Sequence, residues 1–536
     1  MPISLIVAAV LSTLVLLIFA GCVSFDFLPY DDKANIYQNP ALANLSLANL
    51  SHIWTSPHDH LFMPITFTLW ALLAALSRGV LGALHPGIFH AANVVVHALN
   101  AALVYRIICH LFDATSDKKR MISLIAALFF ALHPLVVEPV AWAMGMKDLL
   151  AASFALLTVY YYLQGLTETK ANAYLKSTVF FVCALLCKAA VATLPLLLFV
   201  VETYWYKLPV RRSAARLSPW LILGLGALIA TKLLQPDSEL PFSTEWQDRP
   251  LIAADALSFY LDKFIWPTAM SMDFGHRTDR VIAQGWQIAT LVSISIAIVA
   301  LAVALLRRSK LIVITAAMFT VPLLPVLGFV PFGFQAFSTV GARYAYLSLL
   351  AVSFLVYHLL TNLPQRLVIP VSLIVVTVLG TLSWRESRYW QNYDTLFARA
   401  VALDPDNWTM RYRYGWALSQ DLRLEEAVTQ YHAALQQNDR VAAVHRDLGR
   451  ALAGLKRWPQ AEQSLRTAYQ MSPDLPETRA SLAGVLHEEA LSIVRGSSDQ
   501  DRIKVALPIF QEAYTLSPND LAIATNYRRA QQLLKP

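Results

Sequence analysis

The chain has 536 residues, of which 56% are hydrophobic and only 15% are charged. Soluble globular proteins carry roughly 25% charged residues, so this composition excludes a purely soluble protein and indicates a surface that largely faces lipid. The net charge of +7 does not predict a nucleic-acid partner, because a basic excess in a membrane protein is more often a property of its cytoplasmic loops.

The hydropathy pattern divides the chain near Trp384. Residues 1–384 contain long apolar runs, whereas residues 385–536 have the composition of a soluble helical domain. A helix that crosses a bilayer needs about 20 mostly apolar residues. Eleven runs approach this length: 3–23, 88–112, 121–140, 149–165, 173–189, 190–206, 217–234, 286–306, 311–330, 344–361 and 367–384.

Two further stretches, 62–84 and 251–272, are apolar but interrupted by charged residues such as Arg78 and Asp262. Their mixed character is typical of helices that lie at the membrane interface. The sequence therefore predicts an all-α protein, with a polytopic membrane helix bundle of about eleven spans followed by a C-terminal soluble domain.

The distribution of basic residues predicts the orientation. With the N-terminus inside, Lys and Arg cluster in the inner loops, which are 113–120, 207–216, 307–310 and 362–366. This arrangement obeys the positive-inside rule. The outer face then receives loops 24–87 and 235–285, and the odd number of spans places residues 385–536 outside as well.

A repeat is visible in the C-terminal domain. Small and aromatic residues recur with a period of 34 residues, as Gly415, Ala427, Tyr431 and Ala434, and again as Gly449, Ala461, Leu465 and Ala468. A third copy needs an insertion of about eleven residues, or about three helical turns. This period and pattern are typical of tetratricopeptide repeats, whose stacked helix pairs usually bind proteins. The alternative is that the repeats only brace the membrane domain.

Two adjacent carboxylates, Asp31 and Asp32, follow the first span. Adjacent side chains point in different directions, so one could act as a base while the other orients it or binds a divalent cation. The alternative is a solvated turn with an aspartate that caps a helix.

Other polar residues lie near the predicted outer ends of spans. Ionisable groups at membrane depth are costly and are therefore candidates for function, and cations there suit a lipid phosphate. The alternative is that these side chains only extend to the interface. The candidates are His133, Glu138, Lys147, Lys188, Arg343 and Tyr344.

His90 and His97 are seven residues apart and share one helix face. A zinc site is one interpretation, but no four-ligand spacing supports it, and packing or hydrogen bonding is the alternative. The sequence also lacks a Gly-rich loop that could bind the phosphates of a nucleotide.

The chain resembles the transmembrane and tetratricopeptide-repeat O-mannosyltransferases, within the GT-C class of membrane glycosyltransferases. The matching segments keep the order of that family. They are Tyr30-Asp31-Asp32, Pro64-Ile65-Thr66, Phe89-His90-Ala91-Ala92-Asn93, His133-Pro134 with Glu138, Gly145 with Asp148, Cys187-Lys188, Arg343-Tyr344-Ala345-Tyr346 and Trp390 with Leu396-Phe397. Met63, Ala189 and Ala342 depart from the family pattern.

The resemblance implies an inverting transfer of a sugar from a polyprenyl phosphate to a hydroxyl group, often on a protein. Asp31 or Asp32 would be the catalytic base, and Lys188, Arg343 and Lys147 would face the lipid phosphate. The small number of repeats suggests a bacterial relative, with undecaprenyl phosphate as the lipid, an inner-membrane location and a periplasmic repeat domain.

Two other functions remain open from the sequence. The protein could be a transferase that modifies a lipid or a polysaccharide, with repeats that serve assembly. It could also be a non-enzymatic membrane scaffold whose repeats recruit partners. A scaffold would tolerate substitution of Asp31 and Asp32, whereas either enzyme would not.

Overall fold

The computed structural model describes residues 3–29, 31–168, 172–234, 244–307, 309–330, 332–495 and 500–534. Tyr30, from the first outer loop, and residues 235–243, from the second, lie outside the described residues. Within the described part of the chain all regular elements are helical and none is a strand. The predicted all-α fold class is confirmed.

The chain forms two compact units, Met1–Leu396 and Phe397–Pro536. The first unit extends past the predicted boundary after Trp384, because the last membrane helix continues to Ser387. Beyond that helix, Trp390 is buried and its ring lies 6.2 Å from the ring of Trp142.

The helices of the first unit are joined by short 3-10 and π-helical turns. In chain order they are α1 (Ile3–Phe19), α2 (Leu47–Thr55), α3 (Pro64–Leu81), α4 (Pro86–Leu111), α5 (Asp117–Ala131), α6 (Val137–Ala141), α7 (Met146–Thr167), α8 (Ala173–Cys187), α9 (Leu194–Val200), α10 (Val210–Leu234), α11 (Arg249–Ile265), α12 (Thr278–Gln284), α13 (Ile288–Leu306), α14 (Lys310–Thr320), α15 (Leu349–Asn362) and α16 (Gln365–Ser387).

Five helical segments in the described part of the chain are long and apolar enough to cross a membrane, or six if the bent pair formed by α5 and Pro134–Ala141 is one span. The five are Pro64–Leu81, Pro86–Leu111, Ala143–Thr167, Val210–Leu234 and Gln365–Trp390. Each of the eleven predicted runs coincides with a continuous or broken helix. Several of these helices are too short to span alone, so the predicted number of eleven is not confirmed.

The interpretation of residues 62–84 as an interfacial helix stays a prediction, because α3 is a candidate span by its length and composition alone. Helix α3 has the length and composition of a span. Arg78 does not interrupt it, because this residue lies in the last turn and donates a hydrogen bond to the Leu42 carbonyl at 2.7 Å. A further span would change which side of the membrane each later loop faces, so the orientation stays a prediction.

The surface of the first unit is apolar over several helices, as expected for contact with lipid. Ile222 of α10, Ile296 of α13 and Leu373 of α16 are all exposed. Hydrocarbon tails cannot bond with backbone polar groups, so a helix that bonds its own backbone is the stable form of such a segment. The first unit is therefore an integral membrane domain.

The second unit consists of antiparallel helix pairs. Helix α17 (Tyr393–Leu403) crosses the boundary between the units, and the others are α18 (Trp408–Gln420), α19 (Leu424–Gln437), α20 (Ala442–Gly454), α21 (Trp458–Met471), α22 (Pro476–Val494), α23 (Gln500–Leu516) and α24 (Leu521–Leu533). Helices α18 and α19, α20 and α21, and α22 and α23 pack as pairs. The insertion in the third copy lengthens α22 to 19 residues, compared with 13 in α20.

Glycine at the repeat contacts permits this close packing. A Cβ atom at Gly449 would lie 2.6 Å from Leu465 Cγ, whereas a Cβ at Gly484 would meet nothing within 4 Å. We expect Gly449→Ala to destabilise the second unit and Gly484→Ala to stabilise it by about 0.5–1 kcal/mol, because alanine favours a helix over glycine. Thermal unfolding of the two variants checks this, and equal midpoints would contradict it.

Candidate active site

Asp32 is fully buried and fixes the loop that follows α1. One carboxylate oxygen accepts a hydrogen bond from the backbone N–H of Leu28 at 2.9 Å, and the other accepts one from Met144 at 3.0 Å. Met144 belongs to the turn that precedes α7. Asp32 therefore ties the loop to α7, and its oxygens have no room to approach a substrate without breaking these bonds.

Burial raises the pKa of Asp32 from 3.8 to about 7, because it removes the water that would stabilise the charged carboxylate. The neighbouring Asp31 charge acts in the same direction, while the two backbone N–H groups and Lys147 oppose it. The folded protein therefore holds a proton on Asp32 in a pH range where the unfolded chain has already released it.

The contribution of Asp32 to the free energy of unfolding should consequently fall as the pH rises from about 4 to about 7. It should stay level above that range. The Asp32→Asn variant lacks this titration. The unfolding midpoint of the wild type, relative to that of the variant, should decrease across the interval. Thermal unfolding in detergent at several pH values measures the difference, and a constant or rising difference would contradict the assignment.

Asp31 has the opposite character. Its side chain is half-buried, and within the described residues no group donates a hydrogen bond to its carboxylate. Among the charged groups around Lys147, Asp31 interacts with it most strongly, ahead of Asp148. The structure thus separates two adjacent carboxylates that the sequence could not distinguish, one engaged in the fold and one with free oxygens.

Lys147 lies in the first turn of α7, and its ammonium group is 5.7 Å from the centre of the Trp142 ring. In the described part of the chain no carboxylate lies within ion-pair distance of it. Gly145 makes the preceding turn possible, because a Cβ there would lie 2.1 Å from the Pro139 carbonyl oxygen. Lys147 is therefore a cation held near Asp31 without a carboxylate partner.

Arg343 forms a buried ion pair with Glu138. Its guanidinium contacts one carboxylate oxygen, and its backbone N–H donates to the other at 2.9 Å. Glu138 reaches this position because Pro134 breaks the helix between α5 and α6, where His133 caps the new turn. The guanidinium also lies 4.3 Å from the Phe334 ring centre and donates to the Tyr344 hydroxyl at 3.1 Å.

Lys188 occupies the corner between α8 and the turn Ala189–Thr193, and it pairs with Asp148 of α7. Its ammonium group lies 5.2 Å from the centre of the Tyr344 ring. A cavity of about 40 Å³ opens here, and its lining includes Asp148, Lys188, Arg343, Tyr344 and Tyr346. The fold thus gathers residues from four distant segments at one end of the bundle.

The histidines have structural partners. His97 contacts the Tyr346 hydroxyl at 2.7 Å and the Ala131 carbonyl at 2.9 Å, so both ring nitrogens are engaged. His90 lies 3.4 Å from the Asp26 carbonyl, and His133 lies 3.4 Å from that of Phe264. These contacts favour packing and hydrogen bonding over the zinc interpretation.

The described residues contain no group of three or more His, Cys, Asp or Glu side chains that could hold a metal ion. A divalent cation at Asp31 and Asp32 would need ligands beyond this pair, and both oxygens of Asp32 already accept backbone hydrogen bonds. The cation hypothesis stays a prediction without further support.

Sequence reasoning missed the aromatic groups around the cations. Trp142 lies under both Lys147 and Arg343, and Phe334 covers Arg343. It also assigned no role to Asp148, which pairs with Lys188. An aromatic residue beside a cationic motif is a weak signal in a sequence already rich in aromatic residues, because most such residues pack in the core.

Comparison with known proteins gives a consistent result. No protein-family model matches the chain. Protein O-mannosyl-transferase TMTC3 of Mus musculus is 23% identical over 95% of this chain and 60% of its own length. TMTC4 of Mus musculus is 32% identical over 33% of this chain, and TMTC1 of Homo sapiens is 25% identical over 68% of it.

The chain spans about 60% of the length of the TMTC3 relatives that it matches. Among solved structures, the crystal structure of the P58(IPK) TPR domain is 12% identical, covers 78% of this chain and gives a TM-score of only 0.21. The repeat assignment therefore rests on the helix pairs and their spacing. Because the TMTC3 match covers 95% of the chain, the chain is a homologue, across both of its units, of proteins that are named protein O-mannosyl-transferases.

Proposed function

We propose that this protein is an inverting membrane glycosyltransferase that moves a sugar from a polyprenyl phosphate to a hydroxyl group of a protein on the outer side of the membrane. The names of its relatives support protein O-glycosylation. The observation that carries the proposal is the Asp31 carboxylate, which interacts with Lys147, while Lys147 is in turn within electrostatic reach of the cations Lys188 and Arg343.

Asp31 is the proposed catalytic base. A hydroxyl group is a weak nucleophile until a base removes its proton. The hydroxyl oxygen attacks the anomeric carbon, its proton passes to Asp31, and the bond between that carbon and the phosphate oxygen breaks. The polyprenyl phosphate leaves with the electron pair, and attack from the opposite side inverts the configuration. Asp32 serves this step by holding the loop that carries Asp31.

The three cations stabilise the phosphate as it gains negative charge. Lys147 has no carboxylate partner among the described residues, so its ammonium group is available to the donor phosphate. Arg343 and Lys188 are already paired with Glu138 and Asp148. They are held inside the protein by these pairs, which favours a binding role over simple extension to the interface. Tyr344 orders both, since its hydroxyl and ring contact Arg343 and Lys188.

The proposed orientation places the candidate site on the outer side of the membrane. The first loop, the turn before α7, the corner at Lys188 and the segment at Arg343 meet at one end of the bundle, which is the predicted outer end. The basic loops have their own contacts, such as Lys310 with the Trp205 carbonyl at 3.1 Å. We propose a bacterial inner membrane, a cytoplasmic N-terminus, a periplasmic repeat domain and undecaprenyl phosphate as the donor lipid.

Transfer of label from a radioactive short-chain polyprenyl-phosphate hexose tests the proposed activity. The purified full chain in nanodiscs is mixed with the donor and a protein extract from the source cells. Label in protein that resists lipid extraction supports protein glycosylation. Label found only in lipid or polysaccharide would assign the acceptor to that class instead. No transfer to any fraction, by folded protein, would leave the scaffold as the better explanation.

A further inference from the structure

Asp148 is buried and only half satisfied. One of its carboxylate oxygens accepts from Lys188, while the other is buried with no hydrogen-bond partner among the described residues. The side chain is 7% exposed. An unpaired buried acceptor costs free energy, because it has lost its contacts with water without a replacement. A ligand or a water molecule that donates to this oxygen would remove the cost.

The unpaired oxygen belongs to a residue that lines the cavity beside Lys188, Arg343 and Tyr344. The cavity volume is about 40 Å³, whereas about 10–15 Å³ is enough to hold one water molecule. The cavity therefore has room for a polar group of the donor, such as a hydroxyl. The other walls include Ala151 and Val326, which offer no hydrogen bonds.

The position of Asp148 indicates which hydroxyl group would enter. In the proposed function Lys188 contacts the donor phosphate, and Asp148 is bonded directly to Lys188. The sugar atoms closest to the phosphate, beyond the anomeric carbon itself, are the ring oxygen and the substituent at C2. The ring oxygen has no hydrogen to donate, so the C2 hydroxyl is the group that a carboxylate can bind there.

We propose that Asp148 accepts a hydrogen bond from the C2 hydroxyl of the donor sugar and thereby selects donors that carry a hydroxyl at this carbon. This inference rests on the proposed function and adds the feature of the sugar that is recognised. A bond to the C2 hydroxyl is effective because such bonds strengthen as the anomeric carbon becomes positive during glycosyl transfer.

Binding of matched donors tests the inference without any knowledge of the acceptor. The full chain in nanodiscs is titrated with short-chain polyprenyl phosphates that carry mannose, glucose or galactose, and then with the 2-deoxy analogue of the hexose that binds best. Loss of a hydrogen bond to a charged acceptor predicts that the wild type binds the 2-deoxy donor about 10- to 100-fold more weakly. In Asp148→Asn this ratio should fall towards one.

Lys147→Gln is the matched control, because it removes a proposed phosphate contact but leaves the Lys188–Asp148 pair in place, so it should weaken both donors by the same factor. Equal binding of the two donors by the wild type would overturn the inference, and this outcome does not depend on any variant folding. A ratio that Asp148→Asn leaves unchanged would overturn it too, since the carboxylate would then serve only as the partner of Lys188. If the wild type binds none of these donors, the proposed function itself fails.

Discussion

Replacement of Asp31 by Asn should lower the rate of sugar transfer by about 100-fold or more, the usual contribution of a general base. The protein should remain folded, because no hydrogen bond to the Asp31 carboxylate occurs in the described residues and none is therefore lost. Transfer of labelled hexose by the purified variant measures the rate, and the thermal unfolding midpoint reports on folding.

Asp26→Asn is the matched control. Asp26 is an exposed carboxylate in the same loop, and its replacement should leave the rate unchanged. Asp32→Asn should act mainly on stability. The amide nitrogen cannot accept the backbone N–H hydrogen bond that one carboxylate oxygen accepts in the wild type. A variant of Asp31 with nearly normal activity, together with a folded but inactive variant of Asp32, would assign the base to Asp32 instead.

Removal of Glu138 should have the largest effect on stability. Glu138 and Arg343 are 3% and 9% exposed, so solvent screens their charges little. Glu138→Ala leaves the buried guanidinium without its partner and also frees the backbone N–H of Arg343. Loss of one member of a buried ion pair costs about 3–5 kcal/mol. The unfolding midpoint in detergent should fall accordingly.

The double variant Glu138→Met with Arg343→Met provides the control. Apolar residues of similar volume can replace a buried ion pair with little loss of stability, so the double variant should be more stable than Glu138→Ala. It should nevertheless be inactive, because the phosphate would lose a cation. If the double variant loses as much stability as Glu138→Met and Arg343→Met lose together when they are measured singly, the pair does not act as a unit.

The sequence was sufficient for the helical fold because that fold depends on local patterns. Apolar runs identified the membrane helices, and the spacing of Gly415 and Gly449 identified the repeats. It left the role of residues 62–84 open, because Arg78 looked like an interruption of a span. The partner of Arg78 is the carbonyl of Leu42, which is distant in sequence. Hydropathy alone also cannot reveal where a helix breaks, as at Pro134, so the predicted number of spans is not confirmed.

For the candidate site, the sequence identified most of the residues but not their pairing. Arg343 and Glu138 are 205 positions apart, and no periodic pattern links them. The different states of Asp31 and Asp32 depend on the backbone N–H of Met144, which lies beyond the five helices α2 to α6. Tertiary contacts of this kind decide which of two adjacent carboxylates can contact a substrate. They cannot be inferred from the composition of the chain.

The most direct test of protein glycosylation is the intact mass of exported proteins from cells that produce either the wild type or the Asp31→Asn variant. The account predicts that one or more proteins lose mass corresponding to a sugar in the variant, while both forms of the enzyme remain folded and membrane-inserted. Identical masses for every protein in the two strains, with wild-type enzyme that is present and folded, would contradict it.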